Sequence, residues 1–252
     1  MNARFFKHLF VLLILAGIAS ARAATNELVS AFDNASRLYG QDRFSEAAQA
    51  YEDILKNGLA SPALYFNLAN ARFRSGQVGR AIVSYRRAGL LAPRDPDIRA
   101  NLQFARNHVE GPTLKPGLVE RCVSGLSLNE WTVLCAAAFW GFLLLLSAGQ
   151  WRPQWRPALR RFQWVAGAAL VMLACCVVLA WNAGSVRIAV VVEKDAIVRN
   201  GPLDEQSSVC TVHDGAELLV LDEKDGWVQV ADGGKRSGWI KRSAVVDCSA
   251  GI

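Results

Sequence analysis

Apolar and polar positions follow three different rhythms along the chain, and each rhythm predicts a different kind of element. Between residues 28 and about 110 the apolar residues recur at helical spacing. Tyr65, Leu68 and Ala69 form one stripe, Gly76 supplies a turn, Ala81, Tyr85 and Ala88 form the next stripe, and Pro93 stops it. Two stretches, Trp131 to Ala148 and Phe162 to Val186, carry no charge. Each is long enough to cross a bilayer, since about 20 residues at 1.5 Å rise cover a hydrocarbon layer of roughly 30 Å. Beyond Val186 the pattern shortens to strand-like runs: Arg187 to Val192, Ala196 to Arg199, Glu217 to Asp222, Trp227 to Ala231 and Gly238 to Lys241. Turn signals at Asn200-Gly201-Pro202, His213-Asp214-Gly215, Asp225-Gly226 and Asp232-Gly233-Gly234 separate them. Strands this short, so spaced, predict a small all-β barrel or sandwich. The fold class is therefore multidomain: all-α helical hairpins, two transmembrane helices and a small all-β barrel.

Charge and leader signals add a topology. Arg4 and Lys7 precede an uncharged run from Leu9 to Ser20 that ends in Ala21-Arg22-Ala23, the pattern of a secretory signal peptide over residues 1–23. Residues 24–111 carry eleven basic and nine acidic groups, and residues 185–252 carry eight and eleven. The formal charge of +6 thus comes from the leader and the flanks of the apolar runs. A nucleic-acid partner would need the reverse distribution, so none is expected. The connector 150–161 holds Arg152, Arg156, Arg160 and Arg161 and no acidic residue, which places it in the cytoplasm by the positive-inside rule. Tryptophans 131, 151, 155, 164 and 181 lie at or near the ends of the runs, where an amphipathic indole suits the headgroup region. The expected order is a signal peptide over 1–23, a helical domain over 24–111, a linker over 112–130, spans over 131–149 and 162–182 joined by the arginine-rich loop, and a barrel over 186–252. Both folded parts then lie on the extracytoplasmic side of a bacterial inner membrane crossed twice, with the lipid bilayer itself a partner.

A self-comparison at an offset of 34 residues aligns Phe44 with Val78, Ala47 with Ala81, Tyr51 with Tyr85, and Asn67-Leu68 with Asn101-Leu102. In this respect the segment resembles the tetratricopeptide repeat (TPR) family. Residues 62–95 match its pattern well; residues 28–61 keep Phe44, Ala47 and Tyr51 but carry Asn34 and Ala35 where a large apolar and a small residue are usual. Two full repeats and a closing helix are short for an isolated stack, since about three repeats are normally needed. The missing core has to come from the membrane-proximal segment or from a partner. The resemblance implies peptide or protein binding along a groove lined by each unit's first helix. There Asn67, Asn70 and Arg74 fall on one helix face, and Asn101 with His108 repeats part of that stripe one unit later. Asn can hold an extended peptide backbone, and Arg74 can meet a carboxylate.

The order Val198-Arg199, Gly201-Pro202, Gly215, Leu218, Val220, Gly226-Trp227-Val228, Val230 and Gly238-Trp239-Ile240 resembles bacterial Src-homology-three-like (SH3-like) domains. That family implies binding of cell-wall peptides or of proteins. Trp227 and Trp239 are then either core residues or a ligand shelf. The tether Asn182 to Ser185 spans at most roughly 14 Å, at about 3.5 Å per residue, which keeps the barrel at the membrane surface. Of six cysteines, Cys135, Cys175 and Cys176 fall in the apolar runs and read as small apolar residues. Cys210 and Cys248 form a candidate disulfide that would tie the last strand to the barrel, and Cys122 is left over.

Catalysis has no foothold. There is no H-E-x-x-H, phosphate loop, G-x-S-x-G or C-x-x-C, and after leader removal only His108 and His213 remain. A non-enzymatic protein without metal or cofactor is expected. The whole order of parts is similar to the E component of the bacterial aerotolerance-operon system, the BatE-type proteins. That likeness implies a cell-envelope scaffold whose partners are membrane-associated proteins of the von Willebrand factor A type. The alternative is a cell-wall sensor that binds peptidoglycan through the SH3-like barrel.

Overall fold

The computed structural model describes residues 27–114, 117–123, 125–151, 154, 156–234 and 236–248. The signal peptide expected over residues 1–23 lies outside them. Among the described residues there are eight helices and seven strands. The first helix, α1, covers residues 27–40 and is followed by α2 (Phe44–Lys56), α3 (Pro62–Arg74), α4 (Val78–Leu91) and α5 (Pro96–Arg106). Helices α2 and α4 begin at Phe44 and Val78, and α3 and α5 at Pro62 and Pro96, a constant offset of 34 residues. The starts of α3 and α5 are written locally. Ser61 accepts the Leu64 amide and Asp95 accepts those of Asp97 and Ile98, each with proline at the first helical position.

Small residues sit where helix backbones cross. Ala35, Ala47, Ala69, Ala81, Ala88 and Ala105 are fully buried, with Tyr51, Leu68 and Ile82 filling the space between. The departure noted at Asn34 and Ala35 resolves here: Ala35 supplies the small buried residue, and Asn34 faces solvent, accepting from Arg37 Nη2 at 2.8 Å.

A short helix α6 (Leu118–Val123) leads into α7 (Leu128–Trp151) and α8 (Arg156–Ser185), which pack against each other. Ser127 and Glu130 open α7 with a capping box, the Ser127 amide donating to Glu130 Oε2 at 2.8 Å and the Glu130 amide to Ser127 Oγ at 3.3 Å. Both helices are long and apolar enough to cross a membrane, yet only 6% and 0% of their most apolar windows are buried. A core helix of a soluble protein shows the opposite, so these faces suit lipid. Arg156, Arg160 and Arg161, expected in the loop, lie within α8 instead. The tether expected at Asn182 to Ser185 is also helical, and only Val186 and Arg187 separate α8 from the first strand.

The strands are β1 (Ile188–Val191), β2 (Asp195–Arg199), β3 (Ser208–His213), β4 (Glu217–Lys224), β5 (Trp227–Ala231), β6 (Ser237–Lys241) and β7 (Val245–Asp247). They form one antiparallel sheet in the order β3-β2-β6-β5-β4-β1-β7. Register shifts at Val198/Arg199 and Val220/Asp222 bend it, so that all seven strands send residues into a single core around Val191, Leu218, Val228 and Ile240. Strands β3 and β7 were missed by the sequence pattern. β3 buries only Val212, and β7 is three residues long.

Candidate interaction surface

The helical and β parts share a core. Ala69, Ala81, Ile82, Tyr85 and Ala105 of the helices pack in one cluster with Val190 and Cys248 of the sheet, joined by Val109, Ile188 and Val246. The partner needed to complete the short helical stack is therefore the barrel, rather than the membrane-proximal segment.

Within this seam Glu217, at the start of β4, is fully buried. Arg86 of α4 donates to both carboxylate oxygens at 2.9 Å, and Arg106 of α5 does the same at 3.0 and 3.2 Å. The Leu114 amide adds a fifth bond at 2.8 Å, while the Glu217 amide donates to Pro112 O at 2.9 Å. Burial pushes the Glu217 carboxyl up, but the hydrogen bonds and charges of Arg86 and then Arg106 outweigh it and hold the group below its ordinary value. Two bidentate forks on one carboxylate satisfy its lone pairs, which is the condition for a buried ion to be tolerated.

A second contact lies at the other end of α4. Its N-cap residue, Gln77, offers no side-chain cap; Asp214 of the barrel accepts from the Gly79 amide at 3.1 Å instead, placing a carboxylate at the positive end of the helix. Burial raises the Asp214 carboxyl above its ordinary value, against the pull of the Gly79 and Val78 amides. Only glycine fits here: a Cβ at position 79 would lie 2.2 Å from Val191 O. Gly215 is equally constrained, with φ +88° and a hypothetical Cβ 2.5 Å from Val109.

The expected groove residues lie on α3 and at α5, and they differ in availability. Asn70 is used internally, its Oδ1 accepting from the Tyr85 hydroxyl at 2.5 Å. Asn101 Nδ2 turns back to Asp97 O at 2.8 Å, and His108 Nδ1 lies 2.9 Å from Phe104 O. Asn67 is half-buried. Arg74 is exposed, stacked over the Phe44 ring at 4.5 Å and 3.8 Å from the exposed Asp42, a loose pairing that a ligand carboxylate could displace. What the stripe omitted is aromatic. Phe104, 53% exposed, lies three residues after Asn101 and packs against Phe73 and His108 with ring centroids 5.5 and 4.6 Å away. An exposed phenylalanine in register with Asn101 and His108 was the available signal.

On the barrel, Trp227 is buried with Lys241 Nζ 5.6 Å from its ring centroid, and Trp239 is half-buried. Cys210 and Cys248 are both free thiols. Cys248 follows β7 at one end of the strand order and packs among helix residues, whereas Cys210 is on β3 at the other end. The expected disulfide is not formed, and burial pushes the Cys248 thiol up to about 12. Cys210 instead lines a pocket of about 150 Å³ with Val198, Val212, Leu218, Asp232 and Arg236. Among the described residues no group of three His, Cys, Asp or Glu side chains could hold a metal ion.

The family model for the bacterial SH3 domain matches residues 192–247, which run from just after β1 through β7. The C-terminal part is thus a bacterial SH3 domain, a module suited to protein interaction or cell-wall binding. No curated protein matches the chain.

Proposed function

We propose that this chain is a membrane-anchored, non-enzymatic protein-interaction scaffold of the bacterial cell envelope. In it a short TPR array and an SH3-like barrel act as one extracytoplasmic platform, as in BatE-type proteins. The observation that carries the reading is the Glu217 seam. It fixes two modules, far apart in sequence, in one orientation and leaves the face bearing Arg74, Phe104 and His108 open. Two rigidly joined recognition surfaces favour an assembly partner over a diffusing substrate, because neither has to be ordered when the partner arrives. The leader pattern and the arginines flanking the spans support the topology, with residues 24–111 and 186–252 outside. The partners are membrane-associated proteins, von Willebrand factor A-type proteins first among them. The test is chemical cross-linking in native membranes followed by identification of what co-purifies. Phe104→Ala with His108→Ala should sharply lower recovery of the same membrane proteins while leaving the fold intact; unchanged recovery would sink the reading.

The Cys210 pocket on the barrel favours one second reading, a cell-wall sensor that binds peptidoglycan. Saturable sedimentation of the full chain with purified peptidoglycan, abolished by Arg236→Ala at the pocket in a folded protein, would make that the better account.

A further inference from the structure

Two independent contacts fix the height of the helical and β modules above the spanning helices. Arg94, in the turn between α4 and α5, is paired with Glu130 in the first turn of α7. Arg187, two residues beyond α8, pairs with Asp247 at 2.7 Å and with Glu223 at 2.7 Å. Arg87 of α4 closes the circuit by donating to the carbonyls of Asp247 at 3.0 Å and Cys248 at 3.4 Å. The C-terminal turn of α4 and the middle of β4 therefore lie level with the point where one span starts and the other ends.

At that level large apolar side chains face outward. Leu90, one turn before Arg94, is 55% exposed, and Leu91 beside it is also exposed. On the barrel Leu221 is 56% exposed, next to Val220, whose amide donates to Arg187 O. Val186, just beyond α8, is exposed as well. Arg94, Arg187 and Arg242, all partly exposed, flank these residues, with Arg242 Nε 3.9 Å from Glu223. Exposed leucines beside these arginine–carboxylate pairs, at the level where the spans begin and end, match an interfacial surface, the apolar tips reaching the acyl boundary and the charged pairs staying among the headgroups.

We infer that the folded part rests on the bilayer that α7 and α8 cross, through an underside formed by Leu90, Leu91 and Leu221 from both modules. This rests on reading α7 and α8 as membrane spans. The occupant is the lipid of the adjoining leaflet, because the patch is continuous with the ends of both spans. Docking holds the platform flat on the membrane, with the Phe104 face carried at a fixed height.

A photoreactive benzophenone amino acid placed singly at Leu90, Leu221, Leu144 or Val29 of the full chain, reconstituted into vesicles of phosphatidylethanolamine and phosphatidylglycerol, tests this. Leu144 lies mid-span in α7 and Val29 in the first turns of α1, and both are exposed. The expected result is lipid adducts at Leu90 and Leu221 in yields comparable to Leu144, with only background at Val29. Adducts at Leu144 but none at Leu90 or Leu221 would overturn the docking and leave the membrane reading standing. Absence at Leu144 too would overturn both, and adducts at Leu90 and Leu221 made with protein in place of lipid would overturn the choice of occupant.

Discussion

Replacing Glu217 by Gln keeps the size and shape of the side chain and removes its charge, so it isolates what the carboxylate does in the seam. In the wild type five hydrogen bonds converge on it, four from the guanidinium forks of Arg86 and Arg106. A glutamine amide offers one acceptor oxygen and turns an NH2 donor toward guanidinium groups that are themselves donors only. Two arginines with little exposure then lose the carboxylate they share. Removing one partner of a buried ion pair costs about 3 to 5 kcal/mol, which corresponds to roughly two to nearly four orders of magnitude in the equilibrium for opening the seam. Hydrogen exchange of the full chain in detergent measures that equilibrium at the Gly79 amide, bonded to Asp214 across the seam. That amide should exchange faster by that factor in Glu217→Gln, while the Cys248 amide, bonded to Ile188 O within the barrel, and amides in the α1–α2 hairpin stay near their wild-type rates. The triple change Glu217→Met, Arg86→Met, Arg106→Met should restore most of the protection, since apolar groups of similar volume replace buried ion pairs at little cost. Unchanged exchange at Gly79 in Glu217→Gln would show that the carboxylate does not hold the modules together.

Gly79→Ala should part the modules without touching either core, because its methyl would collide with the Val191 carbonyl and Asp214; lost protection of the Asp214 turn, with the barrel fold retained, is the expected readout. Acid should open the seam. The folded-state pKa of Glu217 is depressed, so its contribution is full above the unfolded value of about 4.3 and disappears as pH falls through the lower folded value. Asp214, raised, acts weakly in the opposite sense, and an opening transition unchanged in Glu217→Gln would show that another group is responsible. Ala81→Leu should destabilise the helical stack by about 1 to 3 kcal/mol, measured by urea unfolding followed at 222 nm, because the residue is fully buried at a helix crossing.

Much of this architecture could be read from local pattern. Alanines and tyrosines at helical spacing, repeated after 34 residues, mark helix crossings, and charge-free runs mark the long helices. The Gly-Trp pairs at 226–227 and 238–239 mark strands, since Gly238 must let Val198 and the Arg199 carbonyl come close. Strand β3 escaped because an edge strand with one buried residue has no alternation to detect. The seam escaped for a different reason. Glu217 lies more than a hundred residues along the chain from both Arg86 and Arg106, and each alone looks like a solvated charge. A local hint existed in Glu217, which lies between Ala216 and Leu218 in a run that is buried throughout. Likewise Asn70 looked like a ligand-facing residue because its bond to Tyr85 spans two helices. Phe104 carries no polar group, so a stripe defined by amides and charges does not include it.

A seam held by Glu217 makes both modules move as one platform. Distance distributions between spin labels carried by unnatural amino acids at Val29 on α1 and Ile197 on β2, both exposed, read that coupling in lipid nanodiscs. A single narrow distribution that broadens in Glu217→Gln is predicted. A broad distribution in the wild type, unchanged by that substitution, would contradict it.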